Sequence, residues 1–266
     1  MLTKVLSFIG LRRNWSIPYI LFLLFFVLVP LALIVFYAFT SEQGGFSFIN
    51  FRKFMMHPEA LKILIYSIGV AMITTIICLL IGYPAAYILS RMESSRASLL
   101  VMLFILPMWI NFLIRTLATV ALFGFLKLQL GEGALLFGMV YNFLPFMIYP
   151  IYNVLQKTDP NLIEAAQDLG ANPRQVFFRT VLPLSVPGIS SGIMMVFMPV
   201  ISTFAISELL TINNIKLFGT TLQENIYNGM WNYGAALSLV MLVLISVVSL
   251  LSNQGSAKQA EEGGLF

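Results

Sequence analysis

Long apolar runs alternate with short polar stretches along this chain, and the length of the runs points to one environment. A helix needs about 20 apolar residues to cross a bilayer. Runs of that order occupy about 17–39, 63–90, 98–123, 134–155, 186–207 and 234–252, so the pattern predicts six spanning helices. The first run is too long for a signal-peptide core and no small-x-small cleavage site follows it, so it reads as an uncleaved helix. Pro30, Pro84, Pro107, Pro145, Pro150, Pro187 and Pro199 fall inside the runs. A proline removes an i to i−4 bond and kinks the helix, which lipid tolerates only where neighbours or water satisfy the freed carbonyl. Kinked helices around a cavity suit transport, although proline is also commoner in membrane helices generally. Gly188-Ile-Ser-Ser-Gly192 offers a small-xxx-small face for close helix packing.

Composition narrows the class. The 266 residues are 59% hydrophobic and 10% charged, with a mean hydropathy of +0.91, whereas a soluble domain carries roughly a quarter charged residues. The chain reads as one all-α integral membrane domain over 17–252, with an N-terminal segment 1–16 and a charged tail 253–266. Cys78 and His57 are the sole cysteine and histidine, which excludes an intramolecular disulfide, a cysteine cluster and a histidine-rich metal site. Fifteen Lys and Arg are scattered singly or in pairs, without the basic stripe that nucleic acid requires. With the N-terminus inside, Lys4, Arg12, Arg13, Arg91, Arg96, Lys157, Arg174, Arg179 and Lys258 face the cytoplasm, and Arg52, Lys53, Lys62, Lys127 and Lys216 lie outside. This bias places both termini in the cytoplasm.

The cytoplasmic loop 156–185 has internal structure. Asp159-Pro160 is an N-cap with proline in the first turn, and Gly170 stands where a left-handed residue would end that helix. Asn172-Pro173 repeats the start signal and predicts a second short helix to about Val181, before Pro183. Leu162, Ala165, Ala166 and Leu169 form one stripe of the first helix. Ten residues is about 15 Å of helix, too short to cross and marginal alone. The stripe needs cover, from the chain's own spans or from a partner protein. Glu164 and Asp168, both acidic, suit a partner carrying Lys or Arg better than an anionic lipid surface.

Glu164-Ala165-Ala166-Gln167-Asp168-Leu169-Gly170, followed by Phe177 and Leu182-Pro183, resembles the EAA motif of bacterial ABC importer permeases. Pro107-Met108-Trp109-Ile110-Asn111, Leu113-Ile114-Arg115 and Leu144-Pro145-Phe146 resemble the permease subunits of spermidine/putrescine importers over about residues 20–252. The resemblance implies a six-helix, MetI-like type I importer permease of the bacterial inner membrane, importing polyamines by alternating access. It further implies a second, similar permease, two copies of a cytoplasmic ATPase carrying ATP and Mg, and an external solute-binding protein, with no cofactor in this chain. Glu164, Ala165, Ala166, Asp168, Gly170 and Phe177 would then form the part coupled to the ATPase. A permease for another small solute or ion is the alternative within the class.

The chain holds no Gly-Lys dipeptide and hence no phosphate-binding loop of its own. An intramembrane hydrolase lacks a nucleophile beside a base, so no catalytic or metal residue is assigned; a secondary carrier would have no use for the capped loop. Ionisable residues within spans are costly and normally face a bundle interior or water. Arg115 is read as a structural charge that pairs with Glu208 or with freed carbonyls near a kink, or snorkels outward, and Glu208 alternatively attracts cations at the outer end of the fifth span. Trp109, Asn111, Tyr141 and Glu208 are the candidate path residues. The aromatic faces offer a polyamine cation–π attraction of about 0.5–2 kcal/mol each, yet Trp109, Tyr141 and Tyr149 equally suit interface packing, and Asn111 and Asn142 equally suit joints between helices.

Overall fold

The computed structural model describes residues 17–41 and 44–262, which are helical apart from loops and an isolated bridge between Thr40 and Phe46. The expected N-terminal segment 1–16, with Lys4, Arg12 and Arg13, and the tail residues 263–266 lie outside the described residues. The chain divides into two compact units, residues 1–57 with 224–242, and residues 58–223 with 243–266.

In the first unit, α1 (Pro18–Ala38) is a span with 0% of its apolar window buried. Its last carbonyls have no partner within the helix and take side-chain donors instead. Asn50 Nδ2 donates to Ala38 O and Thr40 O, both at 3.1 Å, and Asn232 Nδ2 donates to Thr40 O at 2.6 Å. Asn50 belongs to α2 (Ile49–Met56). Ala38 packs with Ala235 and Ala236.

In the second unit, α3 (Pro58–Arg91), α6 (Glu132–Lys157) and α8 (Pro173–Ser202) pack on one another. Their core includes Cys78, Met147, Ile148, Ile151, Val196 and Val200. The small-xxx-small face serves packing: a Cβ on Gly188 would sit 3.0 Å from both Ile151 Cα and Pro150 O, and one on Gly192 2.7 Å from Met147 Sδ.

Three expected elements are corrected. The third run is two helices, α4 (Ser94–Ile105) and α5 (Phe112–Phe125), bent by 94° about a short 3-10 turn, Leu106–Trp109. Pro107 opens that turn, and Asn111, with ψ at 131°, starts a fresh helix by accepting from Leu113 N at 2.9 Å. Among the described residues, five helices are thus long and apolar enough to span, or six if the bent pair counts as one. The fifth run ends at Ser202 and restarts as α9 (Ala205–Thr211). Ser202 Oγ bonds back to Met198 O at 3.0 Å, and Thr203 turns extended at ψ 148°; such back-bonding competes with the helical ladder. The second loop helix is not separate. It runs on through Pro183 because Phe177–Val181 forms a π turn, closed by Leu182 N donating to Phe177 O. α1 treats Pro30 the same way, with a π turn at Leu24–Leu28 and Val29 N donating to Leu24 O. In both helices the residue just before proline makes the wide bond, which relieves the ring's clash with the carbonyl four residues back.

After α10 (Phe218–Tyr227), α11 (Trp231–Glu262) passes the expected end of the sixth span at 252 and carries the tail on as helix.

Candidate functional site

The loop helix α7 (Pro160–Asp168) forms because its ends are closed locally. Asp159 Oδ1 accepts from Asn161 N at 3.0 Å, with Pro160 in the first turn. At the other end Gly170, at φ +80°, lets its own N–H reach Gln167 O (2.8 Å) and the N–H of Ala171 reach Ala166 O (3.1 Å). These are the two bonds of a Schellman motif, which needs a residue in the left-handed region. No atom lies within 4 Å of a Cβ placed on Gly170, so φ alone asks for glycine there. Asn172 and Gln175 then form a reciprocal capping box, with both bonds at 2.9 Å, and start α8.

No residue of α7 is buried. Glu164, Ala165 and Asp168 are exposed and Ala166 is half-buried. The apolar stripe is open as well, with Leu162 48% and Leu169 90% exposed. Of the two covers its pattern allowed, the chain's own spans do not provide one among the described residues. Phe177 is half-buried against α3, its ring edge-on to Tyr83 and Tyr87 with centroids at 5.9 and 5.6 Å. Sequence reasoning missed Tyr83 and Tyr87; their signal is the spacing of four that puts both on one face around Pro84.

The intramembrane candidates are not gathered into one site. Trp109 is 81% exposed at the elbow between α4 and α5. Asn111 caps α5 and joins no second helix. Asn142 donates to Gly138 O of its own helix at 2.9 Å, and its Oδ1 is buried without a hydrogen bond. Tyr141 and Tyr149 are exposed, and the Tyr141 ring stacks on Phe137 with centroids at 6.4 Å. Arg115 is 7% exposed, and its Nε and Nη1 make no hydrogen bond. Glu208, half-buried in the first turn of α9, forms no ion pair with it. The expected Arg115 to Glu208 pair is therefore absent, because the break at Thr203 places Glu208 on a separate short helix rather than at the end of α8. No group of three acidic, histidine or cysteine side chains suited to a metal occurs among the described residues. Tyr66 of α3 donates to Oε1 of Glu132, the first residue of α6, at 3.2 Å.

Comparison with known proteins agrees with this architecture. Residues 79–255 match the family described as binding-protein-dependent transport system inner membrane component. The spermidine/putrescine transport system permease protein PotB of Haemophilus influenzae is 34% identical over 253 residues, covering 85% of this chain and 87% of that one. PotB of Escherichia coli is 31% identical, covering 86% and 92%. The Escherichia coli inner membrane ABC transporter permease protein YdcU is 26% identical over 73% of this chain and 71% of its own. Among solved structures, a bacterial ABC transporter importing the acidic polysaccharide alginate superposes with a TM-score of 0.76 at 16% identity, over 97% of this chain and 98% of that one. The MetNI methionine ABC transporter gives 0.57 at 18% identity, over 77% and 99%. At these identities the structural likeness establishes the fold alone.

Proposed function

Because this chain belongs to the family of binding-protein-dependent transport system inner membrane components, we propose that it is one permease subunit of an ATP-driven importer of polyamines, with α7 as the helix that docks on the ATPase. The observation that carries the docking role is the uncovered α7 itself: closed at both ends by its own bonds, acidic at Glu164 and Asp168, and apolar at Leu162 and Leu169. A nine-residue helix has little stability alone, so a surface that grips it gains a rigid handle on α8 through the Gly170 corner. Asp168 and Glu164 suit basic groups on the partner, and Leu169 suits an apolar slot.

The remaining parts follow from that role. A second permease, a different but homologous chain, completes the pathway; two ATPase copies supply hydrolysis with their own ATP and Mg; an external binding protein delivers solute. Both termini and α7 then lie on the cytoplasmic side of the inner membrane, as the distribution of Lys and Arg favours. ATP binding draws the two copies of α7 together and opens the kinked helices outward, and hydrolysis resets them. Polyamine as the solute rests on the PotB relatives, at 31–34% identity across about 85% of the chain. Arg115 favours a second reading, since a buried guanidinium whose Nε and Nη1 make no hydrogen bond would, if the path passes it, repel a polycation and attract an anionic solute.

The deciding experiment reconstitutes the complete complex in liposomes and follows labelled spermidine, putrescine and an anionic solute. ATP- and binding-protein-dependent spermidine or putrescine uptake supports the polyamine reading. Uptake of the anion alone rejects it, and uptake that needs no ATPase rejects the importer assignment.

A further inference from the structure

Any displacement of α7 reaches the rest of its unit through the Gly170 corner and the first turns of α8, and the contact made there is aromatic. Phe177 is the first residue of the π turn. Its ring meets Tyr83 and Tyr87 with both planes at 87°, and Phe178 packs on it with centroids 5.1 Å apart. Tyr83 is buried and its hydroxyl lies 3.1 Å from Ser185 Oγ. Ser185 gives its own proton to Leu182 O at 2.8 Å, so Tyr83 is the donor in that pair. α3 therefore holds α8 at the first residue of the π turn, Phe177, and again beyond it at Ser185. Arg91 lies over the Tyr87 ring, 5.3 Å from its centroid.

The two tyrosines straddle Pro84, where α3 has no N–H to return to Leu80 O. Two weak places in two helical ladders are thus bridged by one cluster of rings. Without a bridge, a push on α7 would be absorbed in the wide turn of α8. With it, the cytoplasm-directed end of α3 must follow.

We infer that the Tyr83, Phe177 and Tyr87 rings form the joint through which movement of α7 bends α3 at Pro84. Phe177 is then a positioning residue for transport and makes no contact with the ATPase. The inference rests on the docking role proposed for α7.

The test uses the whole complex in liposomes with Phe177→Ala, Phe177→Tyr and Tyr87→Ala. In Phe177→Ala the ATPase copurifies at the wild-type ratio while uptake per assembled complex falls at least tenfold; Phe177→Tyr returns it to within twofold of wild type. Spin labels at Ile76 and Ile88, both exposed and on either side of Pro84, report a nucleotide-dependent change of distance that disappears in Phe177→Ala. A purely structural role would lower the yield of complex but leave that change and the uptake per complex intact, which overturns the inference. Loss of ATPase copurification also overturns it, because Phe177 would then be a docking contact. Tyr87 is half-exposed, so Tyr87→Ala decides by the same readouts if Phe177→Ala does not assemble. A failure of α7 docking is separate: Leu169→Asp would then leave the ATPase bound as in wild type.

Discussion

Replacing Gly170 tests the coupling role with little interference from packing. Its φ of +80° is the only demand at that position, since nothing lies within 4 Å of an added Cβ. An L-residue with a Cβ costs about 1–2 kcal/mol in the left-handed region. The chain can avoid that strain by unwinding the last turn of α7, but it then loses the Gly170 to Gln167 and Ala171 to Ala166 bonds, each worth about 0.5–1.5 kcal/mol net. Both routes cost about the same. One to two kcal/mol lowers the ratio of correctly aimed to misaimed α7 by about 5–30-fold, and the apparent affinity for the ATPase falls with the aimed fraction, by up to that factor in a marginal helix. Because α7 buries no side chain, the unfolding temperature of the permease stays unchanged. The assay is titration of purified ATPase onto the permease pair in nanodiscs, with Gly170→Asn, Gly170→Ala and Gly170→Val. Asparagine tolerates the left-handed region best and a β-branched residue worst, so affinity should fall in that order. An alanine variant within twofold of wild type, or an asparagine variant no better than valine, refutes the reasoning.

Other consequences are equally open to measurement. Gly188→Ala drives a Cβ to 3.0 Å from the backbone of α6 and should destabilise the protein by about 1–3 kcal/mol; Gly69→Ala, with nothing within 4 Å, is the control, and equal melting of the two would remove the close-approach argument. Ile212 holds φ +52° while 68% exposed, so Ile212→Gly should raise thermal stability by about 1 kcal/mol, and a lowered melting temperature would contradict this. Arg115 and Glu208 are unpaired with each other, so a double-mutant cycle of Arg115→Gln with Glu208→Gln should show no coupling in thermal stability, and an interaction above about 1 kcal/mol would restore the pair. An Asp168→Cys change in a Cys78→Ser background should react with an impermeant maleimide only after the membrane is opened, and labelling in intact cells would reverse the orientation.

What the sequence made legible was local. Asp159, Pro160, Gly170, Asn172 and Pro173 carry their cap chemistry within a few residues, and each stands where its pattern placed it. Breaks in spans were hidden because hydropathy does not register direction. The third run stays apolar through Pro107 and Asn111, and whether an asparagine bridges helices or caps a new one depends on the ψ of that residue. Pro183 looked like a stop, yet a π turn five residues long carried the helix past it. The Tyr83 contact with Phe177 and the absence of an Arg115 to Glu208 ion pair are long-range facts, set by how helices distant in sequence pack, and no spacing along the chain encodes them.

The bare window of α1 has a consequence for biogenesis. With 0% of it buried, and contacts to the rest of its unit described only towards its last turns, at Ile34 and Ala38, most of its length does not depend on contacts made later by folding. Leu, Ile, Phe and Val each favour insertion by about 0.3–0.6 kcal/mol at the centre of a helix, and the window is made almost wholly of them. The segment can therefore leave the translocon for lipid as soon as it is synthesised and fix the orientation of every span that follows. A polar substitution there should show up as misinsertion during synthesis, while the melting of the finished bundle hardly changes.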